Sequence, residues 1–142
     1  MSQRTVLRAA FLAGAVIDGA ALLPMLVPRI AHMMWGLAET SAGYTFAMHT
    51  GAALMLGWTA LLVWACLKPL ERRFVAPLTV LVIWGMVLAE VAGVASGGLA
   101  ASRMLPSWCI QAVLLCLFSA GYHYSTVGRV GHRLLAATAA RG

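Results

Sequence analysis

Four long apolar runs constrain this chain more than any other feature of its sequence. We place them at residues 6–27, 44–67, 74–96 and 105–125. Each run supplies the roughly 20 mostly apolar residues that a helix needs to cross a bilayer. Only 10% of the residues are Asp, Glu, Lys or Arg, whereas soluble domains carry about 25%. The runs therefore predict an all-α integral membrane four-helix bundle, a single transmembrane domain over residues 1–142.

A short amphipathic segment, residues 28–39, separates the first two runs. It opens with Pro28, a residue suited to the first turn of a helix. Its apolar side chains recur at helical spacing, while polar and small residues occupy the remaining face. The apolar set is Ile30, Met33, Met34 and Leu37. This pattern predicts a short interfacial helix between helices 1 and 2 of the bundle, lying along the membrane surface.

The basic residues predict how the chain is oriented. Four spans place the amino terminus, the 68–73 loop and the carboxyl tail on one side. That side carries eight of the ten basic residues, namely Arg4, Arg8, Lys68, Arg72, Arg73, Arg129, Arg133 and Arg141. The other side carries Arg29 and Arg103. Because basic residues concentrate on the cytoplasmic side, we expect a multi-pass protein of a bacterial plasma (inner) membrane with both termini cytoplasmic.

The same distribution argues against nucleic acid as a partner, despite a formal net charge of +6. The basic residues flank the apolar runs and form no patch interleaved with aromatic residues. Membrane lipid is the partner that this composition predicts.

Each predicted span carries one polar side chain at a comparable depth. These four residues are Asp18, His49, Glu90 and Gln111. At about 1.5 Å per residue, they lie roughly 8–15 Å below the outer boundary of the membrane. An unpaired polar group in hydrocarbon costs several kcal/mol. We therefore expect the four to meet in one polar layer in the outer half of the bilayer, opening toward the outer face.

Two interpretations of this layer stay open. Ionisable residues within spans usually face the bundle interior and mark a functional site, but a hydrogen-bonded layer can also serve only to fix helix register. The favoured hypothesis is a binding or transport module with Asp18, His49, Glu90 and Gln111 as its ligand-binding residues. Its ligand would be a cation, a proton or an amine-bearing amphiphile.

Two other functions compete with this hypothesis. A membrane enzyme acting on a lipid or isoprenoid substrate would use His49 and Glu90 as acid and base. An accessory subunit of a larger membrane complex is also consistent with the small size. No catalytic motif is present, which favours a protein that is not an enzyme. The chain also has no H-x-x-x-H or E-x-x-H motif, so we expect neither a metal site nor a cofactor.

The third span carries small residues at four-residue spacing. They are Gly85, Ala89, Gly93 and Gly97. Small residues allow helix backbones to approach closely in lipid. This stripe predicts either a compact bundle or a homo-oligomer that forms through the third span.

Overall fold

Helices make up most of the described part of the chain. The computed structural model describes residues 2–37 and 41–139, and the side chains of these ranges as far as residue 126. Five helices follow one another, and no strand occurs among these residues. They are α1 (Gln3–Leu26), α2 (Pro28–Trp35), α3 (Ala42–Leu67), α4 (Val75–Ala95) and α5 (Ala101–Ala139). The predicted all-α fold, with a short helix between the first two spans, is confirmed.

Four of these helices are long and apolar enough to cross a membrane. The qualifying segments are α1, α3, α4 and the Ala101–Thr126 part of α5. Because they alternate in direction, the chain returns to the side on which it began. We call the side that carries α2 the α2 end, and the side that carries the amino terminus and the α3–α4 loop the termini end.

Local capping explains where the helices begin. The Ser2 side chain accepts a hydrogen bond from the backbone N–H of Thr5 at 3.2 Å, so α1 begins at Gln3 and not at the predicted residue 6. In the same way, Ser41 caps α3 by accepting from the Tyr44 N–H. A side-chain oxygen at this position satisfies a backbone donor that the first helical turn leaves free.

The other differences from the predicted bounds concern α2 and α5. Helix α2 ends at Trp35 because Gly36 adopts the left-handed conformation with φ 76°; the last predicted residues, 38 and 39, lie outside the described residues. Helix α5 begins four residues before the predicted residue 105 and contains Pro106. It also extends past residue 125 to Ala139.

The packed faces follow a spacing that alternates between three and four residues, as in other bundles of long helices. On α1 the spacing joins Leu7, Phe11, Gly14, Asp18 and Ala21; on α5 it joins Met104, Ser107, Gln111, Leu114, Phe118, Gly121 and Ser125. Helix α1 packs against α3 and α5, and α4 packs against α5. The polar residues Asp18 and Gln111 thus occupy positions that face the inside of the bundle.

The bundle is densely packed toward the termini end. The rings of Phe11 and Phe118 lie with centroids 5.9 Å apart, and both side chains are fully buried together with Leu7 and Leu62. Gly14 makes this packing possible, because a Cβ there would lie 2.8 Å from Cζ of Phe118. Interior packing of this kind leaves little free space.

Helices α3 and α4 barely touch one another. The short 68–74 loop holds them together at the termini end, so they are apart over most of their length. Helix α1 and helix α5 therefore form the centre of the arrangement, with α3 on one flank and α4 on the other. The bundle is not closed between its two flanking helices.

Half of the small-residue stripe on α4 serves to end that helix. Gly97 has φ 75°, and the backbone N–H groups of Gly98 and Leu99 donate to the Gly93 carbonyl. A Cβ on Gly93 would lie 2.6 Å from Cδ1 of Leu99. These glycines allow the chain to turn back on itself. Self-association through α4 stays a prediction.

Candidate functional site

A cavity of about 410 Å³ occupies the half of the bundle nearest the α2 end. It lies between α1, α4 and α5, with one residue of α3 in its wall and the end of α2 across it. Most of its lining is apolar, with five polar side chains. The apolar residues are Ile17, Ala20, Ala21, Pro24, Met34, Trp35, Met55, Ile83, Met86, Pro106, Ile110 and Leu114. The polar residues are Asp18, Glu90, Arg103, Ser107 and Gln111.

Three of the polar side chains form one hydrogen-bonded network. The Ser107 hydroxyl donates to Oε1 of Glu90 at 2.7 Å, and Nε2 of Gln111 donates to the same oxygen at 3.0 Å. Nε2 of Gln111 also lies 3.3 Å from the Ser107 hydroxyl. The four-residue spacing of Ser107 and Gln111 places both on one face of α5, toward Glu90 of α4. The carboxylate thus joins two neighbouring helices.

Two acceptor atoms of this network have no donor. Oε2 of Glu90 and Oε1 of Gln111 are buried and unbonded within the described part of the chain. Gln111 itself is only 5% exposed. An acceptor left without a partner in such a position costs about 1–3 kcal/mol. The network therefore leaves two of its acceptors without a donor.

Asp18 lines the same cavity from α1. Its side chain is half-buried, and among the described residues it makes no hydrogen bond or ion pair. Asp18 lies on the same inward face of α1 as Phe11 and Gly14. It is one helical turn past Gly14, the residue that contacts Phe118. At this level the cavity lies beside α1, and Asp18 is part of its wall.

Pro24 removes one helical hydrogen bond from this wall. Proline has no N–H, so the carbonyl of Ala20, four residues earlier, lacks its helical donor. Both residues line the cavity. Transmembrane helices tolerate such a proline where the freed backbone group finds another partner.

Arg103 lies where the cavity meets α2. Its guanidinium Nη1 donates to the carbonyls of His32 and Met33, at 3.1 and 3.4 Å, in the last turn of α2. A cation is favourable at a helix carboxyl terminus, where the carbonyls lack helical donors. The contact holds the end of α2, with Met34 and Trp35, across the cavity.

The charged groups of the cavity do not balance. Asp18 and Glu90 supply two negative charges and Arg103 one positive charge, which gives −1 when all three are ionised. Arg103 forms no ion pair with either carboxylate in the described structure. A further positive charge or a proton would neutralise the site.

The structure does not bring His49 to this site. Its side chain is exposed, and it does not line the cavity. His49 lies six residues from Met55, which faces the cavity from α3. At 3.6 residues per turn, His49 is rotated by about 120° from that direction. Depth along the helix placed it near the other polar groups, but its direction around the helix takes it outward.

The prediction that the two carboxylates are buried is not supported by the structure. Asp18 and Glu90 are half-buried, because the cavity beside them leaves part of each side chain accessible. Within the described residues, the buried polar or charged side chains are Thr79, Gln111 and Ser125.

Sequence reasoning missed Ser107 and Arg103. Ser107 has a clear signal, because it lies four residues before Gln111 in the three-and-four spacing of α5. From the sequence, Arg103 bears only on membrane orientation. Its partners are the carbonyls that end α2, and their position depends on how α2 folds back.

Comparison with known proteins finds no relative of this chain. No protein-family model matches the chain, and no curated protein or solved structure matches it. Its four apolar helices suggest a membrane protein by their length and composition.

Proposed function

We propose that this protein binds a small ligand that carries a positively charged, hydrogen-bond-donating group in the cavity between α1, α4 and α5. Glu90 and Gln111 would accept hydrogen bonds from that group, and Asp18 would face it from α1. The volume of about 410 Å³ falls within the range of roughly 300–1,000 Å³ that is usual for small-molecule sites.

The unbonded acceptors Oε2 of Glu90 and Oε1 of Gln111 are the observation that carries this proposal. Buried polar atoms usually have a partner, and a donor group bound in the cavity would give one to both acceptors at once. An ammonium group has three N–H donors and a positive charge. It would satisfy both acceptors and also offset the excess negative charge of the cavity.

The position of His49 weakens the competing function of a lipid-modifying enzyme. That hypothesis needs His49 and Glu90 to act on one substrate, and a general acid or base must come within hydrogen-bonding reach of it. His49 lies on the outward side of α3. Binding without turnover is the function that the remaining residues favour.

We also propose that the protein resides in a bacterial inner membrane with the termini end in the cytoplasm. The support is the charge distribution: Arg4, Arg8, Lys68, Arg72 and Arg73 all lie at the termini end, and Arg29 and Arg103 lie at the α2 end. The side chains of the basic tail lie outside the described residues.

Thermal unfolding in non-ionic micelles tests the proposed binding. The probes are octylamine and octanoate, which share a chain and differ in the sign of their head group. We expect octylamine to raise the melting temperature; at 100 times its Kd the stabilisation is about 2.7 kcal/mol. Octanoate should leave the melting temperature unchanged.

Matched variants connect this effect to the cavity. Glu90→Gln keeps the size of the side chain and its acceptor for Ser107, and it should abolish most of the octylamine effect. Glu71→Gln changes an exposed carboxylate at the termini end that pairs with Lys68, and it should respond like the unmodified protein. Equal stabilisation by octylamine and octanoate, or an unchanged response in Glu90→Gln, would contradict the proposal.

A further inference from the structure

The cavity has two sides from which a ligand could arrive, and they differ sharply. At the α2 end, Met34 and Trp35 lie across the cavity, and Arg103 fixes them there through the carbonyls of His32 and Met33. That end also presents the positive charge of Arg103, which repels a cation that approaches from water. The α2 end, which faces water, is therefore covered, and its positive charge disfavours the entry of a cation.

The side between α3 and α4 is open by comparison. The two helices barely touch, and α3 contributes only Met55 to the cavity wall, while Met86 contributes from α4. Methionine side chains are unbranched and adapt their shape easily. A gap between two apolar spanning helices faces acyl chains, not water.

We propose, on the basis of the function proposed above, that the ligand is a single-chain amphiphile with a primary ammonium head that enters from the bilayer between α3 and α4. The head reaches Glu90, Gln111 and Asp18, and the chain lies past Met55 and Met86 toward the lipid. A primary ammonium is favoured over a quaternary one because only the former has N–H donors for the unbonded acceptors.

Photolabelling in nanodiscs of phosphatidylcholine tests this route. The probe is dodecylamine with a diazirine in the middle of its chain, and adducts are mapped by mass spectrometry of peptides. We expect saturable adducts on Met55 and Met86. Leu56 and Leu88, which are exposed neighbours on the same two helices, report non-specific labelling from the lipid and should not saturate.

Competition identifies the head group and the need for a chain. Excess dodecylamine should reduce the saturable adducts at least tenfold. Dodecyltrimethylammonium has the same chain and charge but no N–H donor, and butylamine has the head without the chain; neither should compete. Competition by dodecyltrimethylammonium as strong as that by dodecylamine would overturn the primary ammonium head.

The same experiment separates the two proposals. Adducts confined to Met34 and Trp35, with full competition by butylamine, would overturn the route through the bilayer while supporting the cation site. Saturable labelling that is equal in the unmodified protein, Glu90→Gln and Glu71→Gln would contradict the cation site itself. Loss of saturable labelling in Glu90→Gln alone is the result that both proposals predict.

Discussion

Glu90 accepts two side-chain hydrogen bonds from α5, and the donors depend on it. One of its oxygens accepts from both Ser107 and Gln111. Without the carboxylate, the buried amide of Gln111 would lose its acceptor on α4 and keep an unbonded oxygen. The stability of the site is thus a property of the pair and not of either residue alone.

A double-mutant cycle of Glu90→Leu and Gln111→Leu should show this dependence. Each single change leaves a polar group without its partner, whereas the double change removes both. We expect a favourable coupling free energy of about 0.5–2 kcal/mol, measured by reversible unfolding in mixed micelles. Additive effects of the two changes would contradict the network.

Two glycines with different surroundings provide a second test at this scale. A Cβ on Gly14 would lie 2.8 Å from Phe118 and 3.2 Å from Leu62, whereas nothing lies within 4 Å of one on Gly57. Gly14→Ala should destabilise the bundle by about 1–3 kcal/mol through overpacking. Gly57→Ala should be neutral or stabilising by up to about 1 kcal/mol. The same unfolding assay applies, and equal effects at both positions would refute the packing of α1 against α5.

The sequence shows readily which spans carry polar groups. It shows much less about the direction in which those groups point. Depth follows from counting residues along a helix, so Asp18, Glu90 and Gln111 could be predicted to share one level. The direction around the helix needs the packed face, which polar substitutions and small residues obscure in a uniformly apolar span. His49 is therefore the residue of the four that depth alone misplaced.

At the scale of elements, α2 owes its position to a residue of another helix. Its eight residues, Pro28–Trp35, contain one buried side chain, Ala31. The hydrogen bonds from Arg103 to two carbonyls of its last turn add the contact that fixes its carboxyl end. A short helix with so little buried surface depends on such a contact.

Replacing Arg103 should release α2 while leaving the spans intact. In Arg103→Gln, we expect amide hydrogen exchange in α2 to accelerate about tenfold, which corresponds to the loss of a hydrogen bond to a charged group. Arg29→Gln removes an exposed cation of α2 itself and should leave exchange nearly unchanged. Equal acceleration in both variants would show that charge, and not this contact, holds α2.

The existence and order of the helices follow from apolar run length, but their ends and neighbours do not. Ser2 moves the start of α1 because a cap is a contact of one side chain, and α5 extends over polar residues that hydropathy alone would exclude. The separation of α3 from α4 has no signature in either helix, because both carry apolar residues all around.

At the scale of the whole molecule, the two ends of the bundle differ in construction. Toward the termini end, Phe11, Leu62 and Phe118 fill the interior. Toward the α2 end, the network around Glu90 borders a cavity of about 410 Å³. A solid half can keep the helices in place while the hollow half accommodates a ligand.

Trp35 offers a direct measurement of whether that cavity is filled, because its side chain lines the wall. The measurement is a titration with octylamine in non-ionic micelles, followed by tryptophan fluorescence. The signal of Trp35 is the difference in fluorescence emission between the unmodified protein and Trp35→Phe. We predict one saturable transition whose midpoint rises at least tenfold in the double variant Asp18→Asn/Glu90→Gln. A change in emission that does not saturate, or a midpoint that the double variant leaves unaltered, would contradict a cation-binding cavity.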